Sequence, residues 1–533
     1  MSANNGGKRA LWKRFIDSAQ PTLDRWHEQL EQPELTQERL LQRLLKTNSD
    51  CAFGRAHHFA RIADSTQFRD NVPIHAYAQL HPWIQRAQQE SEPILTSRPP
   101  LFFERTSGSS ALHKAIPYTR DFLSEMHSAL GVWLADMHRQ VPGISHGSGY
   151  WSMSPPLQVP VPGPNGIAVG SASDLEYLRG SNIAGLAGTL LIPEFAGDLS
   201  NWRRQTLLAL VADADLSFIS VWSPTFLTSL LQPIFDGETA EHEQTFAWLG
   251  DALPAARRSA LRRARSQGVC TELWPRLAAV SCWMDGPSRN YYRQLAGRFP
   301  QAQWLPKGLF ATEGVVSVPF GDGAGCPLAI GSHYLEFLCE DGSLRNAHSL
   351  RMGESAQVLL TTGGGLYRYA LGDRVRVVGM LGATPRVEFV GRTTVTSDLV
   401  GEKLDEHIVQ SIFDRCLTTA GAACLIPNAS AMPPHYLALV ATPEDLDAGA
   451  LALAVESELS NAFHYNQARR LGQLGPLRVR LLKGSADLLA QVLQQAAELS
   501  GIRAGDVKPR PLINRLETAD AILALTESSC RHL

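Results

Sequence analysis

Apolar residues recur at helical spacing through roughly the first 95 positions, where Leu, Gln, Arg and Glu dominate, as in LEQPELTQERLLQRLLKT. From residue 101 to residue 400 the pattern changes. Short β-like runs, such as SFISVWS and RVEFVG, alternate there with longer amphipathic stretches, such as TRDFLSEMHSALGVWLADMH. Alternation of this kind indicates an α/β fold built from layers of strands and helices.

After the polar stretch TTVTSDLVGEK the pattern changes again. It predicts a helix at LDEHIVQSIFDRCLTTA, a strand at HYLALVAT, one long helix at LALAVESELSNAFHYNQARRL and a strand at LRVRLLK. These elements form a small α+β unit, and we place the hinge before it near Asp398. The sequence therefore predicts an N-terminal domain of residues 1–398 and a C-terminal domain of residues 399–533.

The bulk composition excludes several classes of protein. The formal net charge is −3, so the chain lacks the basic excess expected of a nucleic-acid-binding protein. No apolar run approaches the roughly 18 residues of a membrane span, and the first residues lack the apolar core of a signal peptide. The eight cysteines form no C-x-x-C pair, which favours reduced thiols. We therefore expect a cytoplasmic protein with neither nucleic acid nor a membrane as a partner.

The stretch TSGSSALHK is the first candidate for chemistry. Thr106, Ser107 and Ser109 offer hydroxyl groups, Gly108 lets the backbone turn, and Lys114 adds a positive charge. These groups suit an oxyanion, and phosphate is the usual one. A solvated turn explains the same residues, because Ser and Gly also populate turns. The stretch alone does not decide between the two.

Three further stretches, GLFATEG, LYRYALGDRVRV and EFVGRTTVTSDLVGEK, favour the phosphate interpretation. They contribute, in order, Thr312, Glu313, Tyr369, Asp373, Arg392 and Lys403. Each residue alone has an ordinary explanation as a surface acid, a turn cap or an exposed base. Their order is the one an adenylate-forming site requires, in which a hydroxyl-rich loop grips ATP, a glutamate holds Mg²⁺ and an aspartate accepts hydrogen bonds from the ribose.

Over nearly its whole length the chain resembles the acyl acid amido synthetases of the Gretchen Hagen family, as a bacterial-like member. This is the auxin- and jasmonate-conjugating group within the adenylate-forming superfamily. The resemblance is carried by NSDCAFGRAHHFARI, TSGSSALHKAIPYT, FPQAQWLPKGLFATEG, YRYALGD, FVGR followed by GEK, and GDVKPRP. The YRYALGD match is the most specific of these motifs.

The resemblance implies a large N-terminal domain of layered sheets and helices, with a small, mobile α+β lid at the C-terminus. It implies that a carboxylic acid reacts with ATP to give acyl-AMP and pyrophosphate, and that the amine of an amino acid then displaces AMP. ATP and Mg²⁺ would be the cofactors. A small carboxylic acid and an amino acid would be the partners of a monomer or weak oligomer.

The resemblance also implies a role for each motif residue. The triphosphate would be gripped by Thr106, Ser107, Ser109 and Lys114. Thr312 would lie by the adenine or the α-phosphate, Tyr369 would flank the nucleotide, and Asp373 and Arg392 would hold the ribose. The catalytic residues would be Glu313, which holds Mg²⁺, Lys403 near the hinge, and Lys508, which swings toward the phosphates for adenylation.

The chain departs from its relatives at a few positions. Ala111 and Leu112 fill a region of the phosphate loop where relatives usually carry glycine, so the loop is stiffer. Leu309 stands where relatives often have tyrosine, and Ala370 replaces the second arginine of the plant motif. The residues expected to bind the nucleotide are all present, but the effect of the altered loop on the catalytic rate is undetermined.

The acid and its acceptor stay open as well. Trp222 and Phe226, in SVWSPTFLTSLL, could wall an apolar acid pocket, although the same spacing is typical of plain core. The leading function is an ATP-dependent acid–amino acid ligase. A coenzyme A thiol or an alcohol could replace the amine, with the same adenylation residues. A non-catalytic nucleotide-binding relative is the third alternative, and the retention of Glu313, Asp373 and Lys508 argues against it.

Overall fold

The computed structural model describes most of the chain, in two compact units. The described residues are 3–106, 114–152, 160–170, 174–193, 199–222, 224–235, 240–285, 292, 295–392, 396–417, 422–442, 444–483, 486–499 and 511–529. One unit contains Met1–Thr106 and Lys114–Thr393, and the other contains Thr394–Leu533. The functional domains 1–398 and 399–533 stay a prediction.

The first unit begins with helices, as the apolar spacing predicts. They are α1 (Ala3–Glu31), α2 (Pro33–Thr47), α3 (Ala52–Ala56), α4 (Ser65–Asn71) and α5 (Tyr77–Gln89). Helix α2 starts at a proline, which suits the first helical turn, and buries Leu40, Leu41, Leu44 and Leu45 on one face. Helix α4 is capped by Asp64, whose carboxylate accepts the backbone N–H of Gln67.

A parallel sheet follows. The elements of this region are β1 (Phe102–Thr106), β2 (Lys114–Tyr118), α6 (Arg120–Gln140), β3 (Ser148–Trp151), β4 (Val161–Pro162), β5 (Ala168–Val169), β6 (Leu190–Leu191), α7 (Leu199–Ala212), β7 (Leu216–Ser220), α8 (Pro224–Phe235), α9 (Ala240–Ala252), α10 (Ala255–Gln267), β8 (Ala279–Ser281) and β9 (Gln303–Leu305). Strands β6-β3-β7-β8-β9 form a five-stranded sheet in which every described pair is parallel. Strand β7 is buried throughout, as expected when helices cover both faces of a parallel sheet.

The carboxyl ends of four of these strands form one row. Trp151 pairs with Ser220, Ser220 with Ser281, and Ser281 with Leu305. Because these strands are parallel and their last residues are in register, their carboxyl ends lie at the same edge of the sheet. The residues that follow these ends therefore lie close together. In open parallel sheets this edge is where ligands bind.

Two larger sheets and a two-stranded hairpin complete the described part of the first unit. The remaining strands are β10 (Phe310–Ala311), β11 (Gly314–Val315), β12 (Cys326–Pro327), β13 (Tyr334–Cys339), β14 (Leu344–Asn346), β15 (Ser355–Thr361), β16 (Tyr369–Leu381) and β17 (Thr384–Arg392). An antiparallel sheet has the order β12-β17-β16-β15-β13-β14, and a mixed sheet has the order β2-β1-β5-β4. Strand β16 shifts its register against β15 around Gly372, whose φ of 89° favours glycine.

A buried ion network ties α4 to the antiparallel sheet. The Glu336 carboxylate on β13 lies 2.9 Å from Nε of Arg69 and 2.9 Å from Nε of Arg368. Arg368 also donates to the carbonyl of Val72, at 2.6 Å. This arginine belongs to the YRYALGD motif, and its contacts explain its presence there as part of the fold.

Glu336→Gln should lower the free energy of unfolding by about 3–5 kcal/mol, because it leaves two largely buried guanidinium groups without their carboxylate. Urea unfolding followed by tryptophan fluorescence measures the effect. Glu92→Gln is the matched control, since it breaks a half-exposed pair with Arg55 and should cost less than about 1 kcal/mol. Equal shifts in both variants would show that the network does not stabilise the fold.

The second unit has the predicted α+β character. Its elements are β18 (Thr396–Ser397), β19 (Leu404–Asp405), α11 (Glu406–Cys416), β20 (Ala422–Asn428), β21 (His435–Thr442), α12 (Ala448–Leu459), α13 (Phe463–Arg470), β22 (Arg478–Lys483), α14 (Ala486–Leu499) and α15 (Leu516–Ser529). Strands β20-β21-β22 form its main sheet. The α/β fold class of the chain is confirmed.

One predicted element is wrong, since LALAVESELSNAFHYNQARRL forms two helices instead of one. Helix α12 ends before a turn in which the N–H of Ala462 bonds to the carbonyl of Leu459, and α13 starts at Phe463. Glu456 fixes this break, because its carboxylate accepts the Tyr465 hydroxyl and the N–H of Leu477, each at 2.8 Å. A polar bridge of this kind leaves no mark in the apolar periodicity.

Candidate functional site

Three of the predicted site residues meet in the first unit. The Lys114 ammonium donates to the Tyr369 hydroxyl at 3.0 Å and lies 3.6 Å from a carboxylate oxygen of Glu313. The same hydroxyl lies 3.4 Å from that oxygen, to which it donates. Glu313 is only 8% exposed. The cluster therefore places a cation, an anion and a phenol side by side in a partly water-excluded position.

Separate strand ends hold these three side chains. Lys114 is the first residue of β2 and pairs with Thr106 at the end of β1, so the two ends of the predicted phosphate loop are neighbours. Thr312 and Glu313 form the tight turn between β10 and β11. The Thr312 carbonyl accepts a hydrogen bond from the Tyr118 hydroxyl, at 2.9 Å, which fixes this turn against β2.

Tyr77 is a further member of the cluster that the sequence did not indicate. The Lys114 ammonium lies 5.8 Å from the ring centroids of both Tyr77 and Tyr369. The Tyr77 hydroxyl accepts the N–H of Ala115, at 2.7 Å. Burial raises the pKa of Tyr77, and the nearby Glu313 raises it further, so the phenol stays neutral at physiological pH. Tyr77 and Tyr369 thus hold the ammonium in place together, Tyr77 through its ring and Tyr369 through its hydroxyl.

Asp373 and Arg392 are also neighbours, on adjacent strands of the antiparallel sheet. They pair in register on β16 and β17, and Asp373 lies four residues beyond Tyr369 on the same strand. Asp373 is buried. Gly372, with its positive φ, lies where the register of β16 shifts, just before Asp373. This conformation explains why the YRYALGD motif has glycine at position 372.

The two proposed acyl-pocket residues lie in different surroundings. Trp222 follows β7, is 44% exposed and has its ring centroid 6.4 Å from that of Phe310. Phe226 is buried on α8, against Trp202, with ring centroids 6.2 Å apart. The contacts of Phe226 are those of an ordinary core residue, whereas Trp222 borders the row of strand ends.

Lys403 belongs to the second unit, where it has an unusual backbone. Its φ is 47°, and it follows a turn that Glu402 holds together by accepting the N–H groups of Leu399 and Val400, at 2.7 and 2.8 Å. Burial raises the pKa of Glu402 to about 7, and Asp398 adds to this effect. Glu402 therefore fixes the conformation of the segment that presents Lys403.

Several predicted residues fall outside what the structure describes. Ser107, Ser109 and Lys508 lie outside the described residues, as do Ala111 and Leu112. Thr106 and Arg392 are described by their backbone alone. Among the described residues, no group of three or more His, Cys, Asp or Glu side chains could hold a metal ion. In the same part of the chain, no helix is both long enough and apolar enough to cross a bilayer.

Comparison with known proteins connects these motifs to one family. Residues 22–235 match the GH3 family N-terminal domain, and residues 326–392 match the GH3 family central domain; GH3 denotes the Gretchen Hagen family. Indole-3-acetic acid-amido synthetase GH3.8 of Oryza sativa subsp. indica is 24% identical over 88% of this chain and 85% of its own. Probable indole-3-acetic acid-amido synthetase GH3.1 of Arabidopsis thaliana is 21% identical over 88% of each chain.

Solved structures share the fold. The structure of AtGH3.15 acyl acid amido synthetase in complex with 2,4-DB superposes with a TM-score of 0.62, at 18% identity over 96% of both chains. A 2-hydroxyisobutyryl-CoA ligase structure has a TM-score of 0.54, at 12% identity over 94% of both chains. The matched domains include the segments that bear Lys114, Tyr369 and Asp373. The chain therefore belongs to the GH3 family of acyl acid amido synthetases.

Proposed function

We propose that this protein uses ATP to activate a small carboxylic acid as acyl-AMP, with release of pyrophosphate, and transfers the acyl group to the amine of an amino acid. A free carboxylate is a poor electrophile, and AMP is a good leaving group, so activation has to precede amide formation. We place the enzyme in the cytoplasm. The acid and amine are taken from the class of molecules on which its relatives act.

The cluster of Lys114, Glu313 and Tyr369 is the observation that supports this proposal best. Its members come from three separate motifs, and the ammonium of Lys114 donates to the Tyr369 hydroxyl and lies 5.8 Å from the ring centroids of Tyr77 and Tyr369. A positive charge fixed in a partly buried position stabilises the charge that develops on a phosphate more than a solvated one does. Lys114 would therefore hold the triphosphate, and Tyr369 would orient Lys114 and Glu313.

Glu313 suits a role next to a nucleotide-bound Mg²⁺. Mg²⁺ is usually held by one or two carboxylates together with substrate phosphates, so a single carboxylate on the protein is sufficient. When bound, the ion would neutralise charge on the phosphates. Glu313 would take part in holding it, and Tyr369 would keep the carboxylate in place through the 3.4 Å contact. Asp373 and Arg392 would hold the ribose, and Thr312 would lie beside the adenine or the α-phosphate.

Two lysines of the C-terminal region complete the proposal. Lys508 would neutralise charge at the α-phosphate during adenylation, and Lys403 would act near the hinge between the two predicted domains. The turn that Glu402 stabilises supports this role for Lys403, because a fixed backbone limits the directions in which the lysine can point.

The decisive experiment measures acid-dependent pyrophosphate release from ATP. Indole-3-acetate and 2,4-DB are natural first acids, because the names of the related proteins carry them. Further aromatic and aliphatic acids follow, each tested alone, with the twenty amino acids and with coenzyme A. Mass spectrometry identifies the product. We expect release of pyrophosphate with a subset of acids, and an amide when the right amino acid is present.

Each outcome separates one alternative. A thioester that forms only with coenzyme A would replace the amide ligase by a coenzyme A ligase. If the protein binds nucleotide but releases no pyrophosphate from ATP with any of the acids, at any Mg²⁺ concentration, it is a non-catalytic relative. Omission of Mg²⁺ should stop pyrophosphate release, and full activity in EDTA would contradict the role of Glu313.

A further inference from the structure

A buried lysine lies beside the row of strand ends. Lys307 follows β9, two residues after Leu305, and is only 1% exposed. Its ammonium donates to the hydroxyl of Ser220, the last residue of β7, at 2.7 Å. Lysine is almost never buried so completely without a charged partner, so its position needs an explanation.

Two tryptophans enclose this ammonium. It lies 4.8 Å from the ring centroid of Trp133, on α6, and 4.8 Å from that of Trp222. Trp133 is 3% exposed, whereas Trp222 is 44% exposed. We call Lys307, Ser220, Trp133 and Trp222 the lysine clamp. Its solvent side is the side of Trp222.

The clamp lacks a negative charge within the described part of the chain. No described carboxylate lies within 4.0 Å of the Lys307 ammonium. Apart from burial, the influence on the pKa of Lys307 comes from the thiol of Cys282. Burial lowers the pKa of Lys307 to about 7, and burial also raises the pKa of Cys282, to about 12, so that thiol stays neutral. A buried ammonium with this set of partners costs stability, since its desolvation is not offset by a counter-ion.

The clamp adjoins the proposed nucleotide site. The ring centroid of Phe310 lies 5.9 Å from that of Trp133 and 6.4 Å from that of Trp222. Phe310 begins β10, and Thr312 follows two residues later, about 7 Å along an extended chain. A small acid whose carboxylate lies at the Thr312–Glu313 turn would therefore extend past Phe310 toward the clamp.

We propose that Lys307 is a specificity-determining residue, which binds an oxygen acceptor at the end of the acyl acid remote from the carboxylate that is activated. Trp133 and Trp222 pack against the carbon skeleton of this acid. The acid is accordingly a small one with a second carboxylate or a distal hydroxyl group. This inference rests on the proposed function, because it assigns the acid that the ligase activates.

Matched pairs of acids test the proposal. Adipate is compared with hexanoate, and 4-hydroxyphenylacetate with phenylacetate, in the pyrophosphate assay. We expect the wild-type protein to prefer the acid with the extra oxygen by about 10- to 100-fold in kcat/KM, the usual effect of a hydrogen bond to a charged group. Lys307→Met keeps the length of the side chain and should remove this preference, chiefly by raising KM for the oxygen-bearing acid.

A structural role for Lys307 gives a different result. Because the buried ammonium costs stability, Lys307→Met should keep or raise Tm, whereas loss of a structural residue lowers Tm and reduces activity with all acids alike. The latter result would overturn the proposal. Lys483→Met is the control, since Lys483 is an exposed lysine paired with Asp445, and it should change neither the acid preference nor Tm.

The outcomes distinguish the two proposals. If no acid in either pair, nor any acid of the wider panel, supports pyrophosphate release, the proposed function fails. If acids are activated but Lys307→Met leaves the ratio within each pair unchanged, the role of Lys307 is overturned while the ligase function stands. Quenching of tryptophan fluorescence by adipate in the absence of ATP gives a second measure. It should be weaker in Lys307→Met, and equal quenching counts against the proposal.

Discussion

Glu313→Gln should abolish acyl-AMP formation and leave the protein folded. Glutamine keeps the size of the side chain and can still accept the hydrogen bond from Tyr369. It loses the charge that would hold Mg²⁺ beside the phosphates and that faces Lys114 at 3.6 Å. We expect pyrophosphate release to fall by about 100-fold or more, as is typical when one electrostatic contact to the reacting charge is removed.

Pyrophosphate release at saturating ATP and acid measures this loss, and circular dichroism checks the fold. Glu340→Gln is the control, because Glu340 is an exposed acid paired with Arg374 on the same unit and should not affect the rate. Near wild-type release by Glu313→Gln, with the normal dependence on Mg²⁺, would exclude Glu313 as the metal-binding carboxylate.

Lys508→Ala should separate the two half-reactions. Lys508 lies in GDVKPRP, which resembles the segment that carries the adenylation lysine of the family. A lysine ammonium is a compact charge suited to neutralising a phosphate oxygen, and this need ends once acyl-AMP has formed. We expect adenylation to slow by about 100-fold or more, and amide formation from pre-made acyl-AMP to slow far less.

The two rates are measured separately, by pyrophosphate release and by AMP release from synthetic acyl-AMP with the amino acid. Lys483→Ala, which removes an exposed lysine of the same unit, should change neither rate. Equal losses in both half-reactions of Lys508→Ala would mean that Lys508 maintains structure or serves both steps.

The sequence predicted the helical start, the α/β layers and the α+β end, because each depends on periodicity that local residues determine. It also grouped Lys114, Glu313 and Tyr369, and the structure brings these three into contact although the two ends of the cluster are 255 residues apart. Motif order was sufficient here, since the resemblance supplied the long-range information. The roles assigned to these residues stay predictions.

Other features depend on contacts that no local pattern records. Tyr77 belongs to none of the motifs that carry the resemblance, so its contact with Lys114 could not be foreseen. Lys307 follows a proline in LPKG, where an exposed lysine is the ordinary expectation. Trp222 and Phe226 are four residues apart, a spacing that suggested one wall of an acid pocket. In the structure Trp222 follows the end of β7, whereas Phe226 lies on helix α8.

The contacts of the N-terminal helices have a consequence for synthesis of the chain. Gln37 donates to the carbonyls of Ile330 and His333, and the Leu30 carbonyl accepts from Thr384, across separations of 293, 296 and 354 residues. At ribosomal rates of about 5–20 residues per second, the groups that make these hydrogen bonds wait on the order of 15 to 70 s for their partners. Ribosome-bound chains that stop before residue 320 should therefore be cleaved by protease within α2, and released full-length chains should resist. The buried apolar face of α2 is exposed during this interval, so the first unit depends on protection from aggregation until its last strands emerge.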